Sequence, residues 1–373
     1  MAMKRCLLFI VLPGLSADCT AHDYCQAPFP TVESYTRPAG MSLRHVSVVL
    51  RHGDRTPIEP LSSHLDNWGA LIDPATLQDQ QFPFRGYEGL LTRTGQDQHI
   101  RLGASLREIY DEFLPNPYLG GLRVRCTHFS RTFQSARSFL RGLYPVNADV
   151  IPVEVQHTVP ILVENRQDCP RLTQLVKRHQ SNALYKHLQQ EMQRLQQQMH
   201  TSMSFFNLAD NHFCRKCHDR VVEDEEICRV SRDAFRFLLQ HSAQDRELAK
   251  LQTGSTISAL LAQLTTSDSM DIFAAHDSTI AYLHSSLQTG HYEWPPYAAN
   301  MLFEVWQQTE SVPADSESPS FVRVLYNGKT IALPWCQSDQ QLCPLHIFVQ
   351  FLSTLVPTNF RSECQPCIYG EPF

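Results

Sequence analysis

The stretch HVSVVLRHGDRTP, residues 45–57, joins an apolar run to an imidazole flanked by guanidinium groups. Residues 45–50 read as a strand, and Arg51, His52 and Arg55 stand where it ends, the position at which α/β folds present reactive groups. Gly53 allows a sharp turn, and Pro57 keeps the next residues out of helix. Two arginines can grip phosphoryl oxygens in a planar, bidentate way that lysine cannot, so the predicted turn suits a phosphate group with His52 facing its phosphorus. The five defined positions of R-H-G-x-R-x-P recur by chance in roughly one of several thousand chains of this size, which sets aside an accidental basic turn.

Residues 271–275 (DIFAA) form a second apolar run that ends in His276 and Asp277, with Ser278 expected as N-cap of the helix TIAYLHSSL. This repeats the geometry of the first motif. A third strand is expected at 122–126, with Arg125 near its carboxyl end and an amphipathic helix over 131–144. Further strands are expected at 151–155, 301–306, 321–326 and 330–333, with helices starting at Thr92 or Thr94 and over 344–355. Residues 164–253 carry no strand signal but a long polar helical reading, LTQLVKRHQSNALYKHLQQEMQRLQQQM. The expected fold class is therefore α/β, a central mixed, mostly parallel sheet flanked by helices, with 41–163 and 254–373 as the core and 164–253 as an inserted, mainly helical cap. The stretch 58–91, rich in Pro, Asp, Gln and Gly, is expected beside the site as a wall, with Trp68, Phe82, Phe84 and Tyr87 as candidate aromatic surfaces.

With these segments the chain resembles the histidine acid phosphatases, the two-domain branch of the histidine phosphatase superfamily. The likeness rests on RHGDRTP, on Arg125 with Thr127, Arg131 and Thr132 in place of the family's R-S-T-D-x-x-R-T, and on AAHDST. It runs from Leu43 to the last cysteine. The segments LFEVWQ, VRVLYNG and CQSDQQLCPLHIFVQFL, with NHFCRKCHD from Asn211, are similar to one subgroup, the 2-phosphoxylose phosphatases. Carried onto this sequence, the resemblance implies His52 as a nucleophile that forms a phosphohistidine, and Asp277 as proton donor to the leaving oxygen. It implies Arg51, Arg55, Arg125 and His276 as a clamp on the phosphoryl oxygens. No cofactor and no metal are implied, the arginines supplying the neutralisation that magnesium supplies elsewhere. Cys126 replaces the family's serine beside Arg125, His128 stands where an aspartate is common, and Asp54 is expected to orient an arginine.

At 373 residues, 42% hydrophobic and 19% charged, the chain can fill one to three domains with a sizeable core. A net charge of −6, with no basic stripe and no P-loop, argues against a nucleic-acid partner. Residues 1–17, MAMKRCLLFIVLPGLSA, read as a signal peptide, with a buried first strand as the alternative; its apolar part is too short to span a bilayer, and no other segment would span one. Twelve cysteines agree with an oxidising compartment. Without Cys6 their number is odd, so one thiol is expected free, and Cys126 is the candidate. Close spacing suggests the pairs Cys214/Cys217, Cys336/Cys343 and Cys364/Cys367. His212, Cys214, Cys217 and His218 also form a zinc-type set, ranked below a disulfide-stapled loop because a second CxxC at compatible spacing is missing.

The expected activity is phosphomonoester hydrolysis on a phosphorylated small molecule or glycan, in the secretory pathway, either in the Golgi lumen or secreted. The subgroup resemblance implies removal of the 2-phosphate of xylose in the glycosaminoglycan–protein linkage region. A broad acid phosphatase or an inositol-phosphate phosphatase is the alternative, and an inactive phosphosugar-binding protein is the alternative of another class. Retention of His52, Asp277 and the arginines weighs against inactivity, and Arg85 as the sole arginine or lysine between 58 and 91 favours a monophosphorylated glycan over phytate.

Overall fold

A computed structural model of the chain describes residues 24–61, 67–83, 85–156, 168–220, 225–264, 269–309, 318–336 and 341–366. The expected signal peptide, Phe84 and Cys367 lie outside the described residues. One mixed sheet contains β1 (Met41–Arg51), β2 (Leu122–Thr127), β3 (Glu154–Gln156), β4 (Ser269–Ala275), β5 (Asn300–Gln308), β6 (Ser320–Tyr326), β7 (Lys329–Thr330) and β8 (Cys343–Pro344). Their order is β3-β2-β4-β1-β5-β6-β7, with β8 also on β6. From β3 to β1 all pairings are parallel, and from β1 onward they are antiparallel. The helices are α1 (Arg93–Ile109), α2 (Ser130–Leu143), α3 (Pro170–Gln180), α4 (Ala183–Gln198), α5 (Phe205–Cys217), α6 (Glu226–Gln244), α7 (Arg246–Leu264), α8 (Asp277–Ser286) and α9 (Leu345–Ser353).

The sheet is sandwiched because its inner strands are apolar on both faces. Val46, Val48 and Leu50 of β1 join Val124, Ile272 and Ala274 against Leu102 and Leu106 of α1 and Phe139 and Leu140 of α2. Val49, Phe273 and Phe303 face the other way, onto Ile257 of α7, Ile280 and Leu283 of α8 and Phe348 of α9. Helices α3 to α6 fall between β3 and α7 in the chain; α4, α5 and α6 pack their own cluster around Tyr185, Leu195, Phe213, Ile227 and Phe237, while Leu172, Leu175 and Val176 of α3 pack on Leu248 and Leu251 of α7.

Several element boundaries differ from expectation for physical reasons. The long polar helix is two helices, because Asn182 turns and caps α4, its side chain accepting from the Leu184 N–H at 2.9 Å. Gly254 lies inside α7 rather than before it; a Cβ there would run into Pro357 and the Leu355 carbonyl, so the glycine serves packing. Helix α8 starts at Asp277 with His276 as N-cap, ahead of the expected Ser278, since β4 passes into it without a loop. Strand β3 begins after Pro152, which has no N–H for a ladder.

Of the three local cysteine pairs, Cys336–Cys343 forms, whereas Cys217 bonds to Cys25 and Cys364 to Cys169. Cys214 is buried facing Tyr297, and its thiol is free together with that of Cys126 among the described residues. With Cys217 oxidised, the zinc-type set loses a ligand.

Strand β5 is anchored by Glu304, fully buried, whose carboxylate accepts from Tyr35 Oη at 2.7 Å, Tyr110 Oη at 2.6 Å, Trp306 Nε1 at 2.9 Å and Arg323 Nε at 2.6 Å. Replacing Glu304 with alanine strands three buried donors, one of them charged, and the part-buried Tyr35 hydroxyl. We expect Glu304→Ala to lower the unfolding free energy by about 3 to 5 kcal/mol in urea titrations, and an unchanged midpoint would contradict this account of β5.

Candidate active site

The parallel pairing of β1 with β4 brings the two motifs together. Arg51 lies opposite Ala275, so the next residues, His52 and His276, emerge side by side with ring centroids 5.7 Å apart. The ladder extends one step further through the His52 N–H, which donates to the Ala275 carbonyl at 3.0 Å. Beyond it the chain presses onto the start of α1, where Gly53 and Gly95 touch backbone to backbone and a Cβ on either would collide with the other segment. Neighbouring side chains take up the loop's N–H groups, Ser135 Oγ from Gly53 at 3.1 Å and Gln98 Oε1 from Asp54 at 2.8 Å. Asp54 does not orient an arginine. Its buried carboxylate accepts from the hydroxyl of Thr92, the N-cap of α1, and lies 2.9 Å from His218 Nε2.

His52 Nδ1 sits 2.8 Å from the Gly53 carbonyl. A carbonyl only accepts, so Nδ1 carries the proton and Nε2 keeps a bare lone pair. Burial, then Arg131, Arg51, Arg55 and His276, push the imidazole pKa well below its usual range. Burial and charge thus favour the neutral ring. His276 is likewise depressed, by burial and by Arg131 against the opposing pull of Asp277, and its Nε2 lies 3.0 Å from Thr127 Oγ1.

The arginines divide the work. Arg55 makes a two-pronged pair with Asp210 of α5, at 3.1 and 2.7 Å. Arg51 is buried behind Asp277, with Nη2 2.7 Å from Tyr24 Oη and 3.1 Å from Asp277 Oδ2, Nη1 on the Pro295 carbonyl, and the mutually packed Tyr24 and Tyr297 rings 4.8 and 4.3 Å away. Arg125 is not part of the cavity. On β2 it alternates with Val124 and Cys126, which face α1 and α2, so it leaves the opposite face, bonds Asp271 at 3.2 Å and lies over Phe273. The place expected for it belongs to Arg131, in the first turn of α2, which lines the cavity over the Phe129 ring at 4.3 Å. Burial and Arg55 lower the Arg131 pKa, a stress that an anion beside it would relieve. The Nε atoms of Arg51, Arg55 and Arg131 are buried and have no partner among the described residues.

Asp277 Oδ2 accepts from Trp294 Nε1 at 2.8 Å as well as pairing with Arg51, and Oδ1 accepts from the Ser278 N–H at 2.8 Å. Burial raises its pKa, but Arg51, the Trp294 N–H, Arg55 and His276 together outweigh burial and hold the carboxyl at about 2. Among the described residues no group of three or more His, Cys, Asp or Glu converges as a metal site.

These groups floor a cavity of about 410 Å³. Its walls are Phe129, Phe206, Phe235, Leu238, Tyr282 and Trp294, with Gln180 and Asn207 as neutral polar contacts. The stretch 58–91 contributes Ile58 and no more among the described residues, so the expected wall is corrected to helices α3, α5 and α6. Trp68 is buried beneath Arg220 at 4.0 Å, Phe82 packs on Phe133 at 5.2 Å beside a separate cleft, and Tyr87 lies away from the cavity. Sequence reasoning missed Tyr24, Asp210 and Trp294 and gave Arg131 no role. Strand alternation at Val124 and Cys126 held the signal that Arg125 points away.

Residues 42–327 match the family described as Histidine phosphatase superfamily (branch 2). Lysosomal acid phosphatase of Homo sapiens is 30% identical over 368 positions, covering 87% of this chain and 80% of its own length. Lysophosphatidic acid phosphatase type 6 of Homo sapiens is 26% identical, covering 87% and 86%. The Hafnia alvei phytase apo structure superposes with a TM-score of 0.62 at 16% identity, over 88% of this chain and 100% of that one, a likeness of fold.

Calorimetry with inorganic phosphate separates the two arginines. Removing Arg131 deletes charge-assisted hydrogen bonds inside a buried cavity, so Arg131→Ala is expected to weaken phosphate binding about a hundredfold. Arg125→Ala should change it by less than about threefold while lowering Tm, because Asp271 loses a buried partner. The reverse ranking would restore Arg125 to the site.

Proposed function

We propose, for a chain that belongs to branch 2 of the histidine phosphatase superfamily and is a phosphomonoesterase of its histidine acid phosphatase kind, a two-step hydrolysis through a phosphohistidine at His52. The observation that carries this reading is a neutral imidazole whose Nδ1 is locked on Gly53 while Nε2 stands bare beside Arg55, Arg131 and Asp277. In the first step Nε2 attacks phosphorus, the ester P–O bond breaks, and the leaving oxygen takes a proton from Asp277. In the second, a water gives its proton to the Asp277 carboxylate and attacks the phosphohistidine, releasing phosphate and restoring both residues. Arg55, Arg131 and His276 are the groups placed to hold the phosphoryl oxygens, and Arg51 steadies Asp277 from behind.

Electrostatics links this to acid conditions. Asp277 is ionised in the empty cavity, and a bound phosphate anion offsets the arginines and raises its pKa, so the substrate itself equips the donor with a proton. Activity in the complex should fall as pH rises through that raised pKa. His52, depressed by burial and three arginines below the usual imidazole range, stays available as the neutral ring and does not oppose it.

The cavity favours one phosphate on a neutral leaving group. Among the described residues two arginines and no lysine line it, and Arg55 is already paired with Asp210, whereas the outer wall is aromatic with two side-chain amides. Those contacts suit the flat face and hydroxyls of a pyranose, in keeping with the 2-phosphate of xylose as substrate, and equally a broad range of small monoesters. We take 164–253 as a cap that shapes this specificity, and the three disulfides among the described residues agree with a secretory compartment.

Three substrates test the leaving-group reading: a 2-phosphoxylose glycan, inositol hexaphosphate and a nitroaryl phosphate. We expect kcat/KM for the hexaphosphate to be the lowest by about tenfold or more, from unpaired anionic groups against an apolar wall. A preference for hexaphosphate would overturn it, and equal rates on glycan and aryl ester would leave the broad reading and remove the xylose one.

His52→Ala should abolish turnover, with label from substrate trapped on His52 only in the parent enzyme. Asp277→Asn should lower kcat about two to four orders of magnitude on a sugar phosphate and much less on the nitroaryl ester, whose oxygen leaves without help. Equal losses on both esters would reassign the proton donor.

A further inference from the structure

Trp294 takes part in two structures at once. Its indole N–H donates to Asp277 Oδ2 at 2.8 Å, and its ring stacks on Phe235 of α6, centroids 4.8 Å apart and planes at 18°. Glu293, one residue earlier, pairs with Arg232 and Arg236 of the same helix. Pro295, one residue later, gives its carbonyl to Arg51. Residues 293–295 thus tie α6 to the Arg51–Asp277 pair.

The two carboxylate oxygens of Asp277 are unequal. Oδ2 accepts the Trp294 N–H and faces the Arg51 guanidinium at 3.1 Å, while Oδ1 receives the Ser278 N–H among the described residues and keeps one lone pair open, away from that cation. A proton on Oδ2 would displace the Trp294 N–H or stand against the Arg51 cation. A proton on Oδ1 displaces nothing and can point into the cavity.

We propose that Trp294 is a positioning residue: by holding Oδ2 it fixes the carboxyl so that Oδ1 delivers the proton to the leaving oxygen, and α6 sets its place through Phe235. The inference rests on Asp277 as proton donor. A freed Oδ2 would let the carboxyl turn about its Cβ–Cγ bond and would weaken the anion. The charged and titratable groups facing Asp277 are Arg51 and Arg55 around the end of β1, Arg131 on α2, His276 beside it and Tyr24, and none changes when the indole N–H is removed.

Trp294→Phe keeps an aromatic ring for the stack and removes the N–H; Phe235→Leu keeps the N–H and removes the stack. Both are compared with Asp277→Asn on an alkyl phosphate and a nitroaryl phosphate, across pH, with inhibition by inorganic phosphate as the gauge of an intact clamp. For Trp294→Phe we expect kcat on the alkyl ester to fall about tenfold and on the aryl ester less than about threefold, as for a lost hydrogen bond to the donor. The alkaline limb of kcat should move to higher pH, because a hydrogen bond that favours the anion is gone, and phosphate inhibition should stay within about twofold. Phe235→Leu should show the same leaving-group ratio in weaker form, and it decides the matter should Trp294→Phe not fold. A leaving-group-dependent loss in Asp277→Asn without one in Trp294→Phe overturns the role of Trp294 and spares the donor. Absence of the dependence in both overturns both assignments. Equal loss on the two esters together with weakened phosphate inhibition assigns Trp294 to the clamp and overturns the proposal.

Discussion

Everything at the site hangs from the backbone ladder between β1 and β4. Two parallel strands in register have their carboxyl ends at the same edge, so the residues that follow Arg51 and Ala275 must be neighbours. Since β2 is also parallel to β4, its last residue, Thr127, comes beside His276 in the same way. A phosphate site needs a nucleophile, oxygen-binding groups and a proton donor within a few ångströms. Here three strand ends and the helices that follow two of them bring His52, Asp277, His276, Arg55 and Arg131, the groups proposed for these roles, to one cavity with no long loop to order.

The second constraint is charge. Around the cavity Arg51, Arg55 and Arg131 face the carboxylates of Asp210 and Asp277, and both histidines are kept neutral by burial and by these same arginines. One positive charge is left over for an anionic substrate. A buried guanidinium without a partner would cost several kcal/mol, and the two aspartates keep that cost tolerable in the empty site. The arrangement also explains why the nucleophile need not be deprotonated by a base. Burial first, and then the field of the arginines, keeps its Nε2 unprotonated.

The helices between β3 and α7 bear on the chemistry through specific atoms. Asp210 neutralises Arg55 and accepts the Ile58 N–H, so α5 shapes the turn after the motif. The Cys25–Cys217 disulfide ties the same helix to the segment that carries Tyr24, whose hydroxyl holds Arg51. Phe206, Phe235 and Leu238 complete the cavity wall. Phosphate is handled by the sheet edge, and what the phosphate is attached to is met by the helices.

Read alone, the sequence was enough for the α/β class, for the strands at 45–50, 122–126 and 271–275, and for placing His52, Arg55, His276 and Asp277, which line one cavity, at strand ends, because each follows from local pattern: an apolar run, a polar terminus, a capped helix. It did not decide which arginine joins them. Arg125 and Arg131 sit in one motif, and only the packing of Val124 and Cys126 on α1 and α2 turns Arg125 to the far face and leaves Arg131, on a helix start, at the cavity. Asp210, Tyr24 and Trp294 reach the site from 155, 27 and 17 residues away in sequence from the groups they hold, distances over which periodicity carries no information. The cysteines follow the same rule. The seven-residue Cys336–Cys343 pair was legible from spacing, whereas Cys25–Cys217 and Cys169–Cys364 close loops of 192 and 195 residues that exist only once the chain has folded back on itself.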